Sequence, residues 1–187
     1  MNYKVLKILL IVGIFFLFSF LVSKNFNSNI DFNDKIVIIP IKGEIVSENG
    51  NSILNENFAT SSEIISYLER ANSDNSIKAI ILEINSPGGG VIGSKEIVEK
   101  VKKINKPVVS WIREVCASGA YWVASASDSI IADELSITGS IGVIGSYLEF
   151  SGLMDKYGIG YERLVTGKYK DTGSPYRNLT NEERQLL

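Results

Sequence analysis

Apolar residues dominate the start of the chain. After Met1-Asn2-Tyr3-Lys4-Val5-Leu6-Lys7 comes an uncharged run from Ile8 to Ser23, closed by Lys24. At about 1.5 Å per residue the run is slightly short for a full membrane span, but flanking lysines can snorkel. A cleaved signal peptide has the same shape. It should end in small-x-small, whereas Phe20-Leu21-Val22-Ser23-Lys24 stands here, so an uncleaved signal anchor is the favoured expectation. Lys4 and Lys7 ahead of the run place the N-terminus in the cytoplasm and the remainder outside. The expected organisation is an n-region over 1–7, an anchor over 8–23 and a polar, Asn-rich linker over 24–34. A globular domain then occupies 35–187.

Within that domain the pattern alternates between β-rich runs and amphipathic helices. Lys35 to Ile41 is β-rich and is followed by a turn at Gly43. Ser47 to Glu56 is a polar loop. Thr60 with Glu63 three residues on is a capping box, and it opens a helix to about Ala71 with Ile64, Ile65 and Leu68 on one face. Ala79 to Ile84, broken only by Glu83, predicts a strand buried on both faces. Ser94 to Lys103 is amphipathic helix. Pro107–Trp111 is a strand, a small-residue turn at Ser118 follows, and a helix runs on to about Ala126. Ser129–Ala132 is a short strand, Leu148–Tyr157 a helix and Tyr161–Val165 a strand. Such alternation implies right-handed crossovers and a mostly parallel sheet. Thr180 and Glu183 form a second capping box, but the helix they open stops at Leu187, barely two turns in. The expectation is a domain whose C-terminal elements are incomplete.

Composition then narrows the chemistry. A net charge of −2 gives no reason to invoke nucleic acid. One cysteine excludes an internal disulfide and a cysteine-based metal cluster. The informative count is zero histidines, which excludes a Ser-His-Asp triad, a Cys-His pair and histidine-ligated zinc. An activated serine here needs another base, and lysine is the obvious candidate. Ser118, with Gly119 after it, sits between a strand and a helix, where the next N–H can face a developing oxyanion. The same small residues also suit plain close packing. Upstream, Asn85-Ser86-Pro87-Gly88-Gly89-Gly90 leaves a buried strand. Pro87 fixes φ and the glycines let bare backbone approach a ligand. One N–H from this loop and one from Gly119 would make a two-donor oxyanion hole. The loop could equally be a turn; the Walker and G-x-G-x-x-G phosphate patterns are absent.

The residues together carry a resemblance. Ile84 to Gly90, Ala117-Ser118-Gly119-Ala120-Tyr121, Thr138-Gly139-Ser140-Ile141-Gly142-Val143, and Gly167-Lys168-Tyr169-Lys170-Asp171 with Ser174-Pro175 occur in that order. They resemble the signal peptide peptidase A (SppA) family, membrane-bound serine proteases of the ClpP/crotonase superfamily, from about Lys35 to Leu187. Ala120 departs from the family's usual glycine, and Cys116 stands at a small-residue position.

The resemblance implies a repeated ββα superhelix and a Ser/Lys dyad, with Ser118 as nucleophile and Lys170 as base. Gly119 and Gly88 or Gly89 would lend oxyanion N–H groups, with Thr138 and Ser140 holding the amine; no metal or cofactor is implied. Lysine at its ordinary pKa of about 10.4 is protonated at neutral pH, so the base needs a desolvated site. Lys168 competes with Lys170: two apart on a strand, both would share a face, so spacing does not choose between them. The resemblance further implies apolar peptide substrates left by signal-peptide removal, location at the cytoplasmic membrane with the domain outside, and a homo-oligomer sharing the dyad between subunits. Three alternatives stand: a stomatin-associated protease of the same superfamily, a crotonase-type acyl-CoA enzyme, and an inactive membrane-tethered scaffold.

Overall fold

The computed structural model describes residues 3, 12–17, 19–20, 34–48 and 58–187. Most of the expected anchor and linker lies outside these residues. Among the described residues, no helix is long and apolar enough to cross a membrane. The chain divides into two compact units, one ending at Ile141 and one spanning Gly142–Leu187.

The first unit is built on a parallel sheet of β1 (Lys35–Lys42), β4 (Ile77–Ser86), β5 (Val108–Ala117), β6 (Ser129–Ile131) and β7 (Ile137–Gly139). The order is β1-β4-β5-β6, and β7 pairs with the far end of β5. A separate parallel pair joins β2 (Ile45–Val46) to β3 (Ala59–Thr60), a pairing the hydrophobic pattern does not announce. Helices α1 (Ser61–Ser73), α2 (Val91–Val101) and α3 (Gly119–Ala124) form the connections. The crossovers expected from strand–helix alternation are therefore present, and the sheet is parallel throughout.

Side chains alternate across a strand, so β4 sends Ile80, Leu82 and Ile84 to one face, where each is fully buried. They meet Ile39 and Ile41 from β1, Ile64 and Leu68 from α1, and Ile97 and Val98 from α2 in one core. Each such burial contributes about 1.5–3 kcal/mol. The opposite face is less covered than the continuous apolar run in β4 implies. Ala79, Ile81 and Glu83 are only half-buried there, and on neighbouring strands Ile36, Ile38 and Trp111 are exposed. Thr60 is the N-cap of α1, but its side chain makes no cap hydrogen bond. Glu63, the expected capping-box partner, instead accepts from the Tyr67 hydroxyl one turn on.

The second unit contains two short helices, α4 (Ser151–Lys156) and α5 (Asn181–Leu186). The capping box at Thr180 forms in both directions, Glu183 N–H to Thr180 Oγ1 and Thr180 N–H to the Glu183 carboxylate. The strand expected at Tyr161–Val165 does not form; these residues are exposed and irregular. β-propensity needs a neighbouring strand to bond to, and the described residues of this unit offer none. Its one buried residue among those described is Glu183, so a carboxylate rather than an apolar core sits at its centre.

Candidate functional site

β5 does not stop at Trp111 but continues to Ala117, delivering Ser118 directly from the end of an interior strand to the first turn of α3. The extension needs accommodation on β4. Ile84 pairs with Ile112, but Ser86 pairs with Cys116, so β5 carries extra residues opposite Asn85. The Asn85 side chain fills the gap by accepting from the Val115 N–H at 3.1 Å. This bulge aims the end of β5. Asn85 is thus a structural member of the site that sequence reading quotes but gives no role.

Ser118 itself has φ 51° and ψ −123°. Left-handed φ is uncommon outside glycine, and this pair of angles matches the first central position of a type II′ turn. Neighbours hold it there. Its N–H donates to Gly139 O at 2.7 Å, and its C=O accepts from the Trp122 N–H at 3.0 Å. The first of these bonds brings the Thr138–Ser140 segment alongside, with Thr138 paired to Cys116 and Ser140 also at positive φ, 52°.

The Pro-Gly-Gly-Gly loop lies against the same turn. A Cβ on Gly88 would stand 2.7 Å from Ala117 O, 2.8 Å from Gly119 N and 2.9 Å from Ser118 Cβ. Gly88 also has φ +96°, so glycine is required on both counts. Gly119 is constrained from the other side: a Cβ there would sit 2.2 Å from Oγ of Ser94, which is fully buried in α2 and donates to Gly90 O at 2.9 Å. No local sequence signal singles out Ser94.

The loop's amides divide clearly. Gly88 N–H donates to Ser86 Oγ at 3.1 Å, and Gly90 N–H donates to Ile45 O at 2.8 Å. Gly89 forms a parallel bridge with Ile45, in which its neighbours make the bonds. Its own N–H has no hydrogen-bond partner among the described residues, and neither has that of Gly119 at the first position of α3. A Cβ on Gly119 would be 3.6 Å from Gly89 N, so the two open donors are neighbours beside Ser118. Cys116, the rival nucleophile, is fully buried, and burial pushes its thiol up to about 11, where it is not nucleophilic at neutral pH. A groove of about 520 Å³, lined by Trp111, Ile112, Val115, Leu135 and Ile137 together with the polar Arg113, Glu114, Asp133 and Ser136, runs along β5 to the Val115–Ile137 pair.

Lys170 belongs to the second unit and Ser118 to the first. The Gly167–Gly173 stretch is a series of turns, not the regular strand on which two lysines two apart would share a face. Within it the lysines have different surroundings. Lys168 pairs with Glu182 and lies over the Tyr169 ring at 5.2 Å, and the Glu182 bond, then Tyr169, holds its ammonium above the ordinary lysine range. Lys170 is exposed and has no ion pair among the described residues. Asp171 pairs with neither lysine. Arg163 binds it at 2.6 and 2.7 Å and Arg177 at 3.0 Å, and together they hold its carboxyl well below the usual range.

The sequence and fold match known proteins. A Clp protease family model matches residues 44–131, and the Peptidase family S49 model matches residues 100–187. In the same light, a solved mutant of a membrane-bound stomatin-specific protease in complex with a substrate peptide superposes with a TM-score of 0.51 at 25% identity. That superposition covers 61% of this chain and 48% of the other. Fold and family match together define the α/β ClpP-like fold class. Within it, residues 100–187 carry the match to peptidase family S49. It is 38% identical over 165 residues to a protein of Methanocaldococcus jannaschii designated a protease, covering 85% of this chain and 53% of the relative. It is 34% identical over 158 residues to a protein of Enterococcus faecium designated signal peptide peptidase SppA, covering 83% and 46%. Protease 4 of Haemophilus influenzae is 37% identical over 144 residues, covering 75% and 23%. The chain thus spans about half the length of the first two relatives or less of others.

Proposed function

We propose that this chain is a serine endopeptidase with a Ser118/Lys170 dyad. The observation that carries the reading is the strained Ser118 at the head of α3 with two open N–H donors, Gly89 and Gly119, beside it. In the reaction the Ser118 hydroxyl gives its proton to the neutral Lys170 amine as Oγ attacks the peptide carbonyl. The carbonyl oxygen becomes an oxyanion facing the two N–H groups. Collapse breaks the C–N bond, the amine leaves with the proton from Lys170, and water hydrolyses the acyl-enzyme by the same relay. Lys168 is unsuited to this role, because its bond to Glu182 favours the protonated form. Lys170 is exposed within one chain, whereas a base working near neutral pH must be desolvated. The enclosing surface is then a neighbouring copy, which accounts for a dyad shared between subunits of a closed homo-oligomer. Thr138 and Ser140 are placed near the Ser118 turn, where hydroxyls can hold the incoming amine.

Substrates are apolar peptides, including signal peptides left in the membrane after cleavage; Trp111, Val115, Leu135 and Ile137 in the mixed groove along β5 suit them. Residues 8–23 anchor the chain in the cytoplasmic membrane with the N-terminus inside, and 24–34 tether the peptidase domain of 35–187 on the outer face. A second reading, cleavage of a stomatin-like membrane partner, is favoured by the likeness to the stomatin-specific protease. Fluorophosphonate labelling tests the chemistry. Wild type and Lys168→Ala should label and cleave a reporter peptide; Ser118→Ala and Lys170→Ala should not. A fully active Lys170→Ala overturns the dyad. Faster cleavage of a stomatin-derived peptide than of any signal peptide supports the second reading.

A further inference from the structure

We infer that Arg177 is a positioning residue that fixes the turn from which Lys170 projects. The inference rests on Lys170 being the base. The turn is weakly held by its own backbone around Lys170: Lys170 N–H to Gly167 O and Thr172 N–H to Tyr169 O are both 3.3 Å, at the long end for N–H···O bonds, and only beyond them does Ser174 N–H reach Asp171 O at 3.0 Å. Arg177 supplies what the local bonds lack. Its Nε donates to Asp171 Oδ2 and its Nη2 to Asp171 Oδ1, both at 3.0 Å. Nη2 also reaches the Asp171 carbonyl at 3.2 Å, so both the side chain and the backbone of the residue after Lys170 are held. The other edge of the guanidinium binds Glu183, Nη1 to Oε2 at 2.9 Å and Nη2 to Oε1 at 2.6 Å, and Nη1 reaches Asn178 O at 3.1 Å.

Glu183 is no loose surface partner. It is 2% exposed, caps α5 through Thr180 and accepts from Thr172 Oγ1 at 3.2 Å. Arg177 therefore rivets the Lys170 turn to the start of α5, with every guanidinium edge occupied. Arg163 reaches Asp171 from a more open position, 39% exposed against 20% for Arg177, and has no second anchor among the described residues. Lysine cannot replace Arg177: one ammonium does not present a planar fork to two carboxylates at once.

The test uses the full chain, with kcat and KM on a reporter peptide, fluorophosphonate labelling rate, and circular dichroism at a temperature well below unfolding. Arg177→Lys should lower kcat and the labelling rate in parallel by about 10- to 100-fold, with KM unchanged, because a misplaced base costs the transition state and not substrate binding. Arg163→Lys should lose far less. Asp171→Asn, nearly isosteric, serves as the second variant should Arg177→Lys not fold, and should show the same kcat-only loss. Normal kcat in both variants beside an inactive Lys170→Ala overturns the clamp and leaves the base in place. An active Lys170→Ala overturns the base, and the clamp with it.

Discussion

Ser118 shows how much a single residue can be made to bear. Its φ of 51° belongs to glycine's territory, and holding a serine there costs about 1–3 kcal/mol. Replacing it with glycine removes the strain and adds back about 1 kcal/mol of backbone entropy cost. Ser118→Gly is therefore expected to be more stable by about 1 kcal/mol while losing all labelling, read as a higher urea midpoint at unchanged slope. Gly88 gives the opposite result. A methyl group there meets three atoms closer than 3.0 Å, two of them backbone, at φ +96°. Gly88→Ala should destabilise by about 2–4 kcal/mol and abolish fluorophosphonate labelling even where it remains folded. At this scale the sequence is informative about residue type and less so about assignment. A serine followed by glycine after a strand, a proline–glycine loop and the lack of histidine all point to the chemistry. What spacing leaves open, Gly88 or Gly89 as the donor, depends on which amide the Ile45 bridge and the Ser86 hydroxyl consume.

Among elements, those that pack against a core are legible and those held by charge are not. The helix at 61–73 and the strand at 77–86 follow from apolar periodicity, their ends extended by a few residues. The run after Trp111 was opaque because Arg113 and Glu114 interrupt it; they are tolerated where β5 bulges past Asn85. Tyr161–Val165 has strand composition and no strand to join. Its unit is organised instead by Asp171, Arg163, Arg177 and Glu183, whose pairing across 20 residues leaves no periodic trace. That cluster makes this unit acid-sensitive. Bonds from Arg177 and the Thr180 N–H depress Glu183 to about 2, against about 4.3 when unfolded. Asp171 is likewise lowered by its arginines. Folded values below the unfolded ones mean stability that is complete above about pH 5 and lost as pH falls through the folded pKa values. The melting temperature of the unit should drop as pH is lowered from 5 toward 2. Glu183→Gln should melt lower at pH 7 and show a shallower acid dependence. An unaltered slope in Glu183→Gln would remove Glu183 from the cause.

For the molecule as a whole, strand–helix alternation was enough to read a parallel α/β sheet, because each crossover leaves a helical period between two β-rich runs. It was not enough to read how the sheet is covered. Parallel sheets are ordinarily packed on both faces, yet Ile36, Ile38 and Trp111 stand exposed in the single chain, as does Lys170. Assembly of copies is the expected remedy, and residues 35–187 should sediment as a closed oligomer whose labelling rate falls on dilution to monomer. An active monomer would disconnect assembly from the dyad. The parallel ladder has another effect, on when the protein becomes dangerous. Among the described residues no two paired strands are joined by a hairpin: Lys35 waits for Ile77, Ile80 for Val108, and Val115 for Ile137. The turn at Ser118 then needs Ile45, Gly88 and Gly139 from three of these distant segments before its angles are enforced. Non-local closure of this kind comes late in folding. A nascent or half-folded chain thus carries an ordinary serine, and topology does the work that a removable propeptide does elsewhere, keeping the proposed nucleophile inert until its own fold is complete.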